Sequence, residues 1–267
     1  MQMFDSSTVE IQHKLVDLDA RNDAIISADH ALERVQNLLL DRFADHETIR
    51  IYEAGGGSLS YLPPELLDKA DITVVDIDGD QIKNNSYAKT KILGDIQTCE
   101  FPSNSFDLVS CYFVIEHIER PDKAIERFFD ALAPNGLAFI AAPNPNSFTG
   151  IVAKYTPHRF HVWFYRSVVG IRAAGLPGNA PFPIVYHPLV SPTKLIEFCK
   201  WRGYEIAYFK QFESVQIGKL RRRYPLLGDI LNAFMRGLEI VSRRSLREGD
   251  FHIILRKPAL AKTTHRS

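Results

Sequence analysis

The sequence predicts an α/β protein built on a doubly wound, mostly parallel sheet. Short apolar runs rich in β-branched residues recur along the chain, and segments of helical periodicity separate them. The first strand, 49–53, ends in an acid and is followed by three consecutive glycines, Gly55, Gly56 and Gly57. A second strand, 72–76, follows at the distance that one strand–helix–strand unit requires. This alternation is typical of a parallel sheet with helices on both faces.

The remaining elements continue the alternation. The first 48 residues are expected to form helices, one near Val9–Leu18 and one that begins at a capping Asp29. Further strands are expected at 91–93, 107–113 and 137–142, and helices at about 62–69, 80–88 and 121–132. A last covering helix, 191–203, begins at Ser191 and ends at Gly203.

The end of the first strand predicts a binding site. Ligands of open α/β sheets bind outside the carboxyl ends of the strands, and glycines let the main chain approach a ligand closely. Asp76 ends the second strand about 20 residues after Gly55, where dinucleotide-binding folds place the carboxylate that holds a ribose. The alternative is an ordinary turn in which an acid such as Asp78 or Asp80 caps the next helix. The loop, the spacing and the acid together favour a nucleoside site.

The loop also restricts which nucleoside fits. The third glycine of the dinucleotide pattern is replaced by Leu59, and the chain has no P-loop motif that would hold ATP or GTP. Glu53 beside the loop would repel a pyrophosphate but suits a positively charged ligand.

Further landmarks occur in a fixed order along the chain. They are the acid-x-Gly-x-Gly pattern of Glu53, Gly55 and Gly57, the strand-end Asp76, the Gly94-Asp95 pair, the strand Phe106-Asp107-Leu108-Val109 leading to Glu116-His117-Ile118, and the turn Leu132–Gly136. In this set the sequence resembles the class I S-adenosylmethionine-dependent methyltransferases. The resemblance implies a seven-stranded Rossmann-like sheet in which strands 204–209 and 250–257 close one edge as an antiparallel hairpin.

The resemblance also implies the cofactor and its ligands. S-adenosylmethionine would be bound at its methionine end by Glu53, Gly55 and Gly57, at its ribose by Asp76, and at its adenine by Asp95 and Ile96, and Ile77 is also expected to bind the cofactor. The Glu-His-Ile run would place His117 near the transfer site, where a histidine can act as a base. His161 and His158 are the other candidate bases. Each histidine can instead have a structural role, with its ring bonded to the backbone.

Two insertions interrupt the pattern. Residues 143–190 are rich in aromatics, histidines and prolines, and predict either a lid over a substrate pocket or a cap with its own small core. The second insertion, 211–249, carries a basic amphipathic segment, 219–247, with eight basic and two acidic residues, a net charge of +6. Such a helix can lie on an anionic membrane, meet an anionic substrate or partner, or pack on its own protein with solvated arginines.

The predicted organisation is one methyltransferase domain, 1–258, followed by a tail, 259–267. Within it, 1–48 forms the N-terminal helices, 49–143 the cofactor-binding half, 143–190 the lid, and 191–258 the C-terminal half with the basic insertion 211–249. The formal net charge of zero provides no global field that would draw the chain to nucleic acid. The three cysteines show neither a disulfide framework nor a zinc spacing. Without a secretory signal or a membrane span, the expected location is the cytoplasm, with peripheral membrane contact left open.

The acceptor is the least specified part of the prediction. Enzymes that methylate the amines of DNA bases carry an Asn/Asp-Pro-Pro-aromatic run after the fourth strand, and here that place holds Ser110-Cys111-Tyr112-Phe113. DNA is therefore not the expected partner, and a hydroxyl of a small molecule, a saccharide or a lipid-linked acceptor is preferred. Two alternatives stay open: an NAD-dependent oxidoreductase, and a non-catalytic module that binds an adenosyl ligand and acts through its basic helix.

Overall fold

The computed structural model describes residues 25–259 apart from Pro177, Tyr186 and Arg244. Its strands are β1 (Ile49–Ala54), β2 (Ala70–Asp76), β3 (Thr90–Leu93), β4 (Phe106–Tyr112), β5 (Leu132–Pro143), β6 (Glu205–Glu213) and β7 (Glu248–Arg256). Its α-helices are α1 (Ala28–Arg42), α2 (Pro64–Leu67), α3 (Gly79–Asn84), α4 (Pro121–Ala131), α5 (Phe148–Tyr155), α6 (His158–Phe164), α7 (Pro192–Arg202), α8 (Val215–Arg223) and α9 (Pro225–Ser242). The remaining helical elements are two 3₁₀ turns, Ile115–His117 and Pro188–Val190, and a π-helical turn, Tyr165–Val169. The helix predicted near Val9–Leu18 lies outside the described residues.

The strands form one seven-stranded sheet in the order β3-β2-β1-β4-β5-β7-β6. Strands β1 to β5 pair in parallel, and β7 is antiparallel to both of its neighbours. The predicted fold class is therefore confirmed. The antiparallel pair closes one edge, with β7 on the inner side and β6 outermost. Strands β2 and β3 are added on one side of β1 and β4 on the other, so the carboxyl ends of β1 and β4 flank the crevice where such sheets bind ligands.

Helices cover both faces of the sheet. On one face, Val35 and Leu39 of α1 pack with Ile51 in a buried cluster. On the other face, Phe128 of α4 packs with Tyr52, and their ring centroids lie 5.8 Å apart. Because neighbouring residues of β1 point to opposite faces, this strand connects the two halves of the core.

Two of the predicted helix starts are corrected by the structure. The cap of α1 is Ser27, whose hydroxyl accepts a hydrogen bond from the His30 amide, so the prediction of Asp29 as the cap is wrong. Asp29 lies in the first turn, where its charge favours the positive end of the helix dipole. Ser191 precedes α7 as predicted, but its hydroxyl donates to the carbonyl of Pro188 and does not cap the helix.

Both predicted insertions contain helices. The stretch 143–190 contains α5, α6, the π-helical turn and a 3₁₀ turn, and the stretch 211–249 contains α8 and α9 after the last three residues of β6. No helix in the described part of the chain is both long and apolar enough to cross a membrane.

Candidate cofactor and transfer site

The glycine loop after β1 requires glycine for two separate reasons. Gly55 has a φ of +71° and Gly57 a φ of +54°, in the left-handed region that side chains rarely adopt. An added Cβ at Gly55 would also lie 2.6 Å from both γ-methyl groups of Val114. The Gly55 amide donates to the carbonyl of Val75 at 2.7 Å. The loop is therefore pressed against the end of β2 on one side and against the segment after β4 on the other.

Asp76 connects this loop to the end of β2. Its Oδ2 atom accepts from the Gly57 amide at 2.9 Å, and its Oδ1 atom accepts from the Asp78 amide at 2.8 Å. Each carboxylate oxygen has room for a second donor, so the half-buried side chain can still accept from a ribose diol. Asp78 caps α3 through bonds to the amides of Asp80 and Gln81, which leaves Asp76 free of the capping role.

Glu53 lies buried beneath the loop at the end of β1. Its Oε1 atom accepts from the Ser60 hydroxyl at 2.5 Å, and its Oε2 atom accepts from the Tyr87 hydroxyl. Burial raises the pKa of the Glu53 carboxyl above its ordinary value, although both hydroxyl bonds act against this shift. Sequence reasoning found Glu53 but missed Ser60 and Tyr87. Tyr87 carries no local signal, because its contact with Glu53 depends on how α3 folds back over the loop.

Two side chains of the α3 region complete the loop, and sequence reasoning missed both. The Oε1 atom of Gln81 accepts from the amide and the hydroxyl of Ser58, at 3.1 and 2.7 Å. The Nδ2 atom of Asn85 donates to the carbonyl of Gly57 at 2.7 Å. The Nε2 atom of Gln81 donates to the carbonyl of Gly178 at 3.0 Å. Gln81 therefore joins the glycine loop to the insertion that follows β5.

The predicted adenine contacts divide into two kinds. Asp95 keeps its carboxylate at the edge of the sheet, where it accepts from the amide and the side-chain nitrogen of Gln97. Ile96 is buried in the same core cluster as Tyr52, and its contact with the adenine stays a prediction. Exposed apolar side chains at this edge are Ile77, which was predicted, and Leu93, which was not. These two lie directly after Asp76 and directly before Gly94, so they offer an apolar surface for a flat ring.

The end of β4 supplies an aromatic wall. Tyr112 stacks on Tyr61, with ring centroids 4.1 Å apart and an angle of 20° between the rings. Phe113 follows with a φ of +54°, and its amide donates to the carbonyl of Ala141. A bulky residue in the left-handed region costs about 1–3 kcal/mol and is often found at functional sites. The strained turn leads the chain from β4 into the 3₁₀ turn that carries Glu116 and His117.

His117 is held in one tautomer. Its Nδ1 atom lies 2.7 Å from the carbonyl oxygen of Pro183. A carbonyl oxygen only accepts, so Nδ1 carries the proton and the neutral ring keeps its lone pair on Nε2. That Nε2 atom lies 3.6 Å from Oε1 of Glu116. Burial lowers the pKa of His117 below its ordinary value, which favours the neutral, proton-accepting ring.

Glu116 is a buried acid whose Oε2 atom has no hydrogen-bond partner among the residues that the structure describes. Burial, with a smaller contribution from the charge of Asp250, raises the pKa of Glu116 to about 8. Asp250, on β7, is also buried and accepts from the Val215 amide at 2.9 Å, and burial raises its pKa to about 7. Sequence reasoning missed Asp250, since only the pairing of β7 with β5 brings it to this end of the sheet.

The insertion after β5 crosses the strand ends. The carbonyl of Gly178 accepts from Gln81, the carbonyl of Pro183 binds His117, and the amide of Val185 donates to the carbonyl of Glu116 at 3.0 Å. Segment 178–185 therefore spans the crevice from the glycine loop to the side that carries Glu116 and His117, which is the proposed transfer side.

The other two candidate histidines contact the insertion itself. His161, on α6, has its Nε2 atom 2.7 Å from the Thr156 hydroxyl, and burial lowers its pKa. The ring of His158 lies 6.1 Å from that of His161. Their catalytic role stays a prediction.

Comparisons with known proteins agree with this geometry. A family model described as a methyltransferase domain matches residues 53–140. Among solved structures, the [4+2]-cyclase SpnF is 14% identical, with 90% of this chain and 86% of that chain covered and a TM-score of 0.53. The YcgJ protein of Bacillus subtilis is 10% identical, with 86% and 100% covered and a TM-score of 0.51. A SAM-dependent methyltransferase from Archaeoglobus fulgidus is 17% identical, with 85% and 94% covered and a TM-score of 0.49. No curated protein matches the sequence.

The matched segment runs from the end of β1 through β4 into β5, and it contains Glu53, Gly55, Gly57 and Asp76. The structural neighbours establish the fold, and the family model establishes the type of domain. Residues 53–140 therefore match a methyltransferase domain, the sheet has the fold of these solved structures, and the cofactor that the match implies is S-adenosylmethionine.

Proposed function

We propose that this chain transfers a methyl group to a hydroxyl of a small-molecule, saccharide or lipid-linked acceptor. The observation that carries the proposal is the fixed tautomer of His117, whose Nε2 lone pair is available at the transfer side of the crevice. Methylation of a hydroxyl needs a group that removes the proton, and a neutral histidine is suited to that task.

The residues at the glycine loop fit the cofactor. Asp76 provides two acceptor oxygens for a ribose diol, and Ile77 with Leu93 provides an exposed apolar surface for the adenine. Gly55 and Gly57 stand at positive φ, which lets the main chain turn sharply at the end of β1, where the methionine end would bind. When bound, S-adenosylmethionine supplies a methyl group on a positively charged sulfur, activated for in-line displacement by the acceptor.

The residues on the transfer side are suited to removing one proton from the hydroxyl of the acceptor. His117 Nε2 would accept the hydroxyl proton of the acceptor, while Nδ1 keeps its own proton and donates it in a hydrogen bond to the carbonyl of Pro183. The resulting imidazolium would lie beside Glu116, at the 3.6 Å distance of the free protein. That carboxyl can lose its own proton near pH 8 and then stabilise the imidazolium by its charge.

The walls of the crevice support an acceptor with apolar faces. The stacked pair Tyr61–Tyr112 lies on one side, and Phe182 packs edge-on against His117 at 5.8 Å on the other. Sugar rings and polyaromatic hydroxyl compounds both present apolar faces together with hydroxyl groups. A duplex DNA base is not proposed, because the place of the base-methylating motif holds Ser110–Phe113.

The test is an acceptor screen that measures S-adenosylhomocysteine formation and locates the methyl group by mass spectrometry. The expected result is O-methylation of a hydroxylated compound, abolished when the accepting hydroxyl is replaced by hydrogen. Methylation of nitrogen, carbon or sulfur as the main product would overturn the hydroxyl assignment. Tight binding of S-adenosylhomocysteine, with no turnover across saccharides, phenols and lipid-linked hydroxyls, would instead support a non-catalytic adenosyl-binding module.

A further inference from the structure

Helix α9 exposes its apolar side to solvent. Its buried residues are Gly228 and Met235, whereas most of its large apolar side chains are exposed. The exposed ones are Leu226, Leu227, Ile230, Phe234, Leu238, Ile240 and Val241. A surface helix of a globular protein normally turns its apolar stripe toward the core. Here that arrangement is reversed, so packing against the rest of the described chain does not explain the apolar residues.

The exposed apolar residues form one stripe along the helix. Leu227, Ile230, Phe234, Leu238 and Val241 follow one another at intervals of three or four residues, which places them on the same side. The opposite side carries the buried contacts of Gly228 and Met235, and there Glu239 accepts from the Leu246 amide at 2.7 Å and pairs with Arg247 at 2.5 Å. The helix is thus fixed to the protein by one side and leaves the stripe largely exposed.

Basic side chains flank the stripe at both ends. Exposed Lys219, Arg222 and Arg223 lie on α8 before the helix, and exposed Arg243 lies at its end. Arg222 also forms an ion pair with Asp29 at 2.5 Å. In a chain whose total charge is zero, this clustering gives the stripe a basic border. Acidic headgroups attract such a border, whereas a second copy of the chain would bring the same positive charges together.

The stripe is joined to the insertion over the candidate site. Phe148, at the start of α5, contacts Phe234 edge-on, with ring centroids 6.2 Å apart. Helix α5 also exposes Ile151, Val152 and Tyr155. The apolar surface of α9 therefore adjoins further exposed apolar side chains on the segment that leads into the cover of the crevice.

We propose that α9 lies in the surface of an anionic lipid bilayer, with its apolar stripe at the boundary of the acyl chains. A helix that combines an apolar face with flanking Lys and Arg binds in this way, and its affinity depends on both the apolar area and the acidic lipids. The proposal is independent of the methyl acceptor, since it concerns α8 and α9 and not the crevice.

The test is co-sedimentation of the full chain with vesicles of phosphatidylcholine alone and of phosphatidylcholine mixed with phosphatidylglycerol. We expect retention on the mixed vesicles that weakens with added salt, and little retention on the neutral ones. Ile230→Ser combined with Val241→Ser should lower the apparent affinity at least about tenfold, because two bilayer contacts are lost. Arg223→Gln combined with Arg243→Gln should reduce retention at low salt more than at high salt.

Trp201→Ser is the matched control, since Trp201 is 76% exposed on α7, away from the stripe, and it should leave retention unchanged. Val241→Ser alone, at a site that is 84% exposed, repeats the apolar test with a single change if the double variant fails to fold. The proposal is overturned if the wild-type chain is not retained on the mixed vesicles, or if the stripe variants are retained as well as wild type. A wild-type dimer that the Ile230→Ser and Val241→Ser changes convert to a monomer, with no vesicle binding, would identify the stripe as a self-association surface instead.

Discussion

The Nδ1 atom of His117 lies 2.7 Å from the carbonyl oxygen of Pro183, which belongs to the insertion that crosses the crevice. One hydrogen bond thus fixes the proton on the ring and positions the insertion over the transfer side. The proposed base and its cover are set by the same contact.

His117→Gln should lower kcat about 10²- to 10⁴-fold, the usual contribution of a general base, while the affinity for S-adenosylhomocysteine stays close to wild type. In the wild type, burial lowers the pKa of His117 below 6.5, so kcat/KM should hold its plateau to below pH 6.5 and fall only at more acidic pH. Steady-state turnover across pH measures both effects. His161→Gln and His158→Gln serve as comparisons. A larger loss of kcat in either of them than in His117→Gln would show that the base lies on α6.

Asp76→Asn should weaken S-adenosylhomocysteine binding about 10- to 100-fold, since an amide offers one acceptor where the carboxylate offers two and removes the charge assistance. Calorimetric titration measures the change. Asp80→Asn is the matched control, because Asp80 is an exposed acid in the first turn of α3. Equal affinities of the two variants would place the ribose elsewhere than at the end of β2.

Gly55→Ala should lower the free energy of unfolding by at least about 2 kcal/mol, because the new methyl group meets Val114 and the backbone stands at a positive φ. Gly237→Ala should raise it by about 0.5–1 kcal/mol, since nothing lies within 4 Å of the added Cβ in the middle of α9. Denaturant titration of both variants checks the contrast. A loss of stability in both would mean that the space around Gly237 is not open.

Glu116→Gln should change the pH dependence of stability. The pKa of this carboxyl is raised in the folded state, so the protonated acid contributes stability that is fully present below about pH 4.5 and is lost as the pH rises through about 8. At pH 9 the variant should therefore melt at least about 4 °C above wild type, and at pH 5 the two should nearly coincide. Thermal unfolding at the two pH values tests this, with Glu119→Gln, an exposed neighbour, as the control. An offset that is the same at both pH values would contradict the prediction.

The parts of the site that the sequence predicts are those that lie in short stretches. Strand 49–53, the three glycines and Asp76 follow from spacing alone, because each belongs to one strand end and the turn after it. The packing of Tyr87 on Glu53 and of Asp250 near Glu116 depends on how distant segments meet. No local pattern carries that information.

The helical insertions show a related limit. The apolar spacing in 219–247 predicts an amphipathic helix, but it does not show which side contacts the protein, since the period is the same for either orientation. The Asp29 cap illustrates the limit at the scale of one turn. Ser27 and Asp29 are both good capping residues, and the structure selects Ser27.

The insertion holds the crevice through main-chain atoms: the carbonyls of Gly178 and Pro183 and the amide of Val185. Such bonds do not depend on which side chains the segment carries. Residues 179–182 can therefore be exchanged while the segment stays anchored at both ends. We expect such substitutions to change the surface that an acceptor would meet, while the main-chain bonds of Gly178, Pro183 and Val185 keep the segment in place.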